Sequence, residues 1–222
     1  MLVQIILFLC LALHGSSLFW GLQKKTTPSK KQTSAFKSEL LDSIGKARRR
    51  DGGKDGIISA VERLESLGLA VDPKSLTGKW SLVYSTRSSK VSIRSSSSST
   101  IDRISNALYG FLFKFLPRLA GGAEETDGQL ATNIQAIDLV SGTIENTVQI
   151  RRPFPLTLVV DGEARQSETP DTIEVIFTAC RVNGLAIPLP RPKGTLRTTF
   201  CDESLRVSRG GQGGLFVVKR LP

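Results

Sequence analysis

The chain has 222 residues, is 40% hydrophobic and carries a net charge of +10, which suits one globular domain behind a targeting leader. Its first 36 residues hold four lysines and no acid, so the remainder carries 26 basic against 20 acidic residues, a net +6. That excess fits a basic solvated surface and would also favour an anionic membrane surface or a nucleic acid. The only histidine, His14, lies in the leader. A processed chain would therefore lack imidazole, which excludes Ser-His and Cys-His nucleophile pairs, imidazole acid catalysis and histidine-ligated zinc. Cys10 also falls in the leader, leaving Cys180 and Cys201. Two thiols this far apart lack metal-site spacing. Strand alternation puts both on one side, so a single bridge is open to them, with two reduced thiols the simpler state. No metal and no cofactor is expected.

Leu2–Leu13 is an uncharged, mostly apolar run, too short to cross a bilayer comfortably and the right length for a signal-peptide core. Small residues Gly15 and Ser17 place a cut after Ser17. From Leu18 to Lys37 there are five lysines, several Ser and Thr residues and no acid, a transit-peptide-like composition. The expected organisation is a two-part leader over residues 1–36, a helical segment over 37–71 and a β domain over 72–222. A two-part leader of this kind resembles those of algae whose plastids sit within extra membranes. A secreted protein with a basic linker is the alternative.

Phe36, Leu40, Leu41, Ile44 and Ala47 recur at helical spacing, as do Ile57, Ile58, Val61, Leu64 and Leu67, with Gly68 as a C-cap. Two helices are expected to pack against the end or side of a sheet. Gly78-Lys79-Trp80 opens the first strand, with Trp80, Leu82 and Tyr84 on one face. Arg87–Thr100 contains eight serines in fourteen residues and reads as a loop. Over 101–119, Ile104, Leu108, Phe111, Leu112, Phe115 and Leu116 form a helical stripe, widened by Tyr109 and Phe113 and bordered by Lys114 and Arg118. Such an inserted amphipathic helix suits a lipid surface, the mouth of a barrel or core packing. Its candidate lipid-contacting residues are Tyr109, Phe111, Leu112, Phe115 and Leu116.

Strands follow over Gln129–Ala136, Gly142–Arg151, Phe154–Asp161 and Thr172–Val182. Alternation sets Ile144, Asn146, Val148 and Ile150 on one face. Pro188–Pro192 cannot sit in a central strand and reads as a crossover. Thr195–Leu221 gives three more alternating runs separated by Cys201–Glu203 and Gly210–Gly214, an antiparallel meander. About eight antiparallel strands close naturally into a small barrel that fills its interior or holds one ligand. Its interior candidates are Trp80, Tyr84, Asn146, Phe154, Phe177 and Phe200. Asn146 draws attention because a buried amide needs a hydrogen-bond partner, whether backbone or the oxygen of a ligand. No spacing sets a carboxylate pair for acid/base work, no phosphate-binding glycine loop opens a helix, and Arg209-Gly210-Gly211 reads as a hairpin rather than an RNA contact.

Phe200-Cys201-Asp202-Glu203-Ser204-Leu205-Arg206-Val207-Ser208-Arg209-Gly210, followed by Gly214-Leu215-Phe216-Val217, resembles the closing signature of the plastid lipid-associated proteins, the plant and algal fibrillins. Trp80–Ser85 and Ile144–Val148 add to the resemblance, which spans roughly residues 38–220. It implies a mainly β, lipocalin-like antiparallel barrel of about eight strands. It also implies a non-enzymatic protein that handles hydrophobic plastid lipids or coats lipid droplets and thylakoid surfaces. Isoprenoid quinones, carotenoids and acyl lipids are the implied ligands, an enzyme of lipid synthesis is a further partner, and no nucleic acid is expected. The alternative is a filled barrel that works only through its surface. Gly-x-Trp is also a lipocalin hallmark, in which an arginine stacks on the tryptophan; Arg209 or Arg220 would take that place. Asp202, Leu205, Arg206, Arg209, Gly210, Gly214 and Phe216 carry the signature. Asp202 reads first as a turn residue, then as a salt-bridge partner of one of the arginines, and third as part of a head-group contact.

Overall fold

The computed structural model describes residues 28–49, 51–86, 131–151, 155–189, 191, 193–211 and 213–222. The expected leader up to residue 27, the serine-rich loop and the aromatic helix over 101–119 lie outside them, as does Phe154. Helices α1 (Lys30–Arg48) and α2 (Lys54–Glu65) come first. Ser29 caps α1 by accepting a hydrogen bond from the Gln32 amide at 3.1 Å, which satisfies one of its orphan N–H groups. Past the end of α2, Gly68 takes φ +59° and donates its N–H to the Glu65 carbonyl, so the expected glycine stop is in place. The short α3 (Pro73–Leu76) is capped by Asp72, which accepts from the Lys74 amide at 3.0 Å.

The strands are β1 (Gly78–Ser85), β2 (Ala131–Asp138), β3 (Thr143–Ile150), β4 (Leu156–Gln166), β5 (Thr172–Val182), β6 (Leu185–Pro188), β7 (Lys193–Cys201), β8 (Leu205–Gly210) and β9 (Leu215–Arg220). Their order is β4-β3-β2-β1-β9-β8-β7-β5-β6, and β4 pairs with β5 to close the ring. Every pairing is antiparallel. The fold is thus a closed eight-stranded antiparallel barrel with helices near its N-terminal end. The short strand β6 pairs with the second half of β5 while β7 takes the first half. Proline closes β6 at the edge, where a missing N–H breaks no ladder. This strand was not expected from the sequence, because its four residues run directly into the proline-rich segment.

Two apolar clusters occupy the inside of the ring. One gathers Leu76, Ile137, Ile144, Ala164, Ile173 and Val175. The other gathers Val148, Leu158, Val160, Cys180 and Leu189, with Leu82, Ile150, Leu156, Phe177 and Val182 partly buried against it. The third and largest lies outside the ring, where Leu40 and Ile44 of α1 and Ile57, Ala60, Val61 and Leu64 of α2 pack on Tyr84, Phe200, Leu205, Val207, Leu215 and Val217. The two helices therefore cover the side of the barrel along β1, β9, β8 and β7.

That outer cluster corrects two interior assignments. Tyr84 and Phe200 face the helices, not the barrel lumen. In each case a bulge resets the alternation: register shifts between Leu82 and Tyr84 on β1 and between Thr198 and Phe200 on β7. One extra residue in a strand moves every later side chain to the opposite face.

Leu64 is fully buried in this outer cluster, whereas Ile58 on the same helix is 38% exposed. Leu64→Ala should destabilise the protein by about 2–5 kcal/mol, and Ile58→Ala should stay within about 0.5 kcal/mol. Chemical denaturation of both variants checks the assignment; equal effects would mean that α2 does not dock through this face.

Candidate functional site

Residues paired directly across neighbouring strands share a face, so the register identifies what lines the lumen. Trp80 pairs with Arg220 and Gln135, Gln135 with Asn146, and Arg206 with Cys201 and Val218. Thr198 pairs with Ser208, and their hydroxyls meet at 3.1 Å. Asn146 therefore does face inward, as its alternation predicts, and so does Phe177, which touches both inner clusters.

The first inner cluster ends at α3. Leu76 is fully buried there, and its carbonyl accepts the Trp80 indole N–H at 3.0 Å. Arg220 lies over the Trp80 ring at 4.1 Å and donates from Nη1 to the Thr77 carbonyl at 3.0 Å and from Nη2 to the Ser75 carbonyl at 2.5 Å. Of the two arginines offered by the sequence, Arg220 is the one on the tryptophan. It also closes the carbonyl end of α3, a favourable place for a cation. Gly78 is required here: it takes φ +140°, and a Cβ at that position would run into the Arg220 guanidinium. One end of the barrel is plugged.

A second cation, Arg206, also lies over Trp80, at 4.7 Å. Only 1% of it is exposed. Its Nη2 donates to the Gln135 Oε1, and the Gln135 Nε2 donates to the Asn146 Oδ1 at 2.9 Å. Strands β1 and β9 separate β2 from β8 in the sheet, so the Arg206–Gln135 bond runs through the lumen. Gln135, opposite Asn146 on β2, thus holds its oxygen, a side-chain partner besides the backbone or ligand oxygen expected from the sequence. Burial pushes the Arg206 guanidinium down to about 10, with Arg220 pushing the same way against the opposing effect of Cys201. It remains charged at neutral pH. No carboxylate faces it among the described residues, and its Nε and Nη1 have no hydrogen-bond partner there.

Other signature residues do different work. Asp202, at the β7–β8 turn, accepts from the Ser204 and Leu205 amides at 2.8 Å each and pairs with Lys37 of α1 at 2.5 Å. The turn role is as expected, but the ion pair is with a lysine and not with a signature arginine. Arg209 points outward and grips Glu65 of α2 with Nε at 3.0 Å and Nη2 at 2.8 Å. Leu205 belongs to the helix-packed outer cluster. The Gly210 amide donates to the Gly214 carbonyl at 2.7 Å, and a Cβ on Gly210 would meet the Phe216 ring at 3.2 Å. Phe216, paired with Ser208, faces the lumen. Gln135 was missed by the sequence reading; its place directly opposite Asn146 on an inward face was the available signal. Cys180 and Cys201 are both unpaired thiols. Burial pushes both upward, helped by Asp161 at Cys180 and partly offset by Ser75 and the two arginines at Cys201.

With this geometry in view, the PAP_fibrillin family model matches residues 34–185 and 182–219. The chain belongs to the plastid lipid-associated protein (fibrillin) family. The match covers most of α1, all of α2 and the barrel strands up to residue 219, and the two segments meet at the β5–β6 turn. Fibrillins are plastid-associated and generally non-enzymatic. Neither the curated proteins nor the solved structures include a significant match. Among the described residues of this fibrillin no cluster of His, Cys, Asp and Glu could hold a metal ion, and no helix is long and apolar enough to cross a membrane.

The ion pairs that hold the two helices carry a pH dependence. Burial pushes Glu65 up, but hydrogen bonds from Arg209 and Thr199 outweigh it and leave the carboxyl below its ordinary 4.5. Burial likewise pushes Asp202 up, and Lys37 with the Ser204 and Leu205 amides brings it below 3.8. Carboxyls depressed in the folded state stabilise it fully above their ordinary values, and this contribution is lost as pH falls through and below them. Denaturation midpoints should therefore drop between about pH 6 and about pH 3, and Glu65→Gln with Asp202→Asn should flatten that drop. A double variant with the wild-type pH profile would show that these pairs contribute nothing.

Proposed function

We propose that this fibrillin binds a hydrophobic plastid lipid (an isoprenoid quinone, a carotenoid or an acyl lipid) inside its barrel without catalysis, and works at plastid lipid droplets or thylakoid surfaces. The observation that carries this reading is the asymmetry of the lumen. At the α3 end, Trp80, Ile137, Ile144 and Ile173 are buried. Toward the other cluster, Leu82, Ile150, Leu156, Phe177 and Val182 remain only half-buried although their register turns them inward. Apolar side chains that face the inside of a closed ring and still meet solvent are what an accessible apolar lumen presents. Burying ligand area against them is favourable by about 25 cal/mol per Å².

The family match supports plastid association. Delivery by the two-part leader over 1–36 and contact with a lipid surface through Tyr109, Phe111, Leu112, Phe115 and Leu116 complete the proposal. Delipidated protein should gain thermal stability when offered such a lipid, by about 2.7 kcal/mol at a ligand concentration near 100 times Kd. A melting-curve panel of a quinone, a carotenoid and acyl lipids tests this. No shift with any of them would discard lumenal binding and favour a barrel that acts through its surface, on a lipid monolayer or a lipid-synthesis enzyme.

A further inference from the structure

We infer that the lumen selects an amphipathic lipid with a carboxylate head, which Arg206 receives deep in the barrel. This rests on the lumenal binding proposed above and narrows its ligand class. Three observations lead to it. Arg206 is a cation with 1% exposure whose Nε and Nη1 lack a partner among the described residues. A guanidinium offers five N–H donors, and three of them belong to these two nitrogens. The other charged group on the Trp80 ring is also a cation, Arg220, which donates to the Ser75 and Thr77 carbonyls. The local charge is therefore positive and uncompensated within the described chain.

The nearby carboxylates serve other cations, on the outer side of the wall or at its turns: Glu65 serves Arg209, Asp202 serves Lys37, and Asp161 serves Arg181. The lumen supplies Arg206 with only the neutral oxygen of Gln135. A neutral carbonyl or hydroxyl head would satisfy a donor but not the charge. A carboxylate does both, since its charge is opposite and its two oxygens can accept parallel N–H groups of one guanidinium. Gln135 and Asn146 extend the polar path toward β3, and the apolar residues around Leu82, Leu156 and Phe177 are placed to take an acyl chain.

The test compares oleic acid with its neutral methyl ester on the delipidated full chain, by calorimetric titration at neutral pH. Wild-type protein should bind the acid tighter by on the order of ten- to a hundredfold. The preference should survive raised salt, because buried pairs are screened far less than surface ones. Arg206→Met should abolish the preference while keeping ester binding. Replacing a buried charge by an apolar side chain of similar length is often neutral for folding, and the wild-type acid-to-ester ratio is informative even if that variant does not fold. Equal binding of acid and ester, or a preference that vanishes with salt, would overturn the carboxylate site and leave lumenal lipid binding standing. Binding of neither would overturn both.

Discussion

The guanidinium of Arg220 holds together parts of the chain that are far apart in sequence. It stacks on Trp80 at the start of the first strand, belongs to the end of the last strand, and takes the two carbonyls that terminate α3. Because β1 and β9 are neighbours in the ring, this contact sits on the seam where the two ends of the barrel sequence meet. Stacking of a partly buried cation on an indole contributes about 1 kcal/mol, and the hydrogen bonds fix its direction. Remove the guanidinium, and the plug loses its anchor while the Trp80 face becomes an unfilled wall. The plug bears on the proposed function: with one end sealed by α3 and Leu76, lumenal binding as proposed would use the other.

The wall that carries this seam is buried on both faces. Leu205, Arg206, Val207 and Ser208 are consecutive and all buried, since odd positions meet the helices while even positions meet the lumen. Doubly covered strands can read as continuous apolar runs, as Leu215–Val218 does, whereas on β8 the apolar Leu205 and Val207 alternate with the buried Arg206 and Ser208. The meander, the helix pair and the closing of about eight strands were all legible from periodicity. The faces of Tyr84 and Phe200 were not, because a bulge leaves no mark in a period-two count where the residues beside it are alike, as Leu82-Val83 and Thr198-Thr199 are. On β3 the outer face is half-exposed and polar, no register shift intervenes, and Asn146 was placed correctly. Legibility followed the contrast between faces.

The signature near the C-terminus combines opposite tasks within a few residues. Asp202 and Arg209 reach outward and fasten α1 and α2 by ion pairs, whereas Arg206 between them reaches inward. A strand alternates, so a stretch that docks two helices on one side must show the lumen its other residues. Sequence could reveal that Asp202, Arg206 and Arg209 stood close together, but not which of them faced inside, since that depends on where the helices lie. This also explains why Gln135 escaped notice: its role exists only because β8, three strands around the ring, sends a guanidinium to it.

Arg206 is then the residue hardest to explain by stability alone. A buried cation without a carboxylate is unfavourable, and burial has already lowered its proton affinity toward about 10. Stacking on Trp80 and one bond to Gln135 recover part of that loss. The guanidinium interrupts the two inner clusters with a polar layer of Arg206, Gln135, Asn146, Thr198 and Ser208. The lumenal binding proposed above gives that layer a use: it would orient a molecule with a greasy end and a polar end, at a depth set by the plugged end of the barrel.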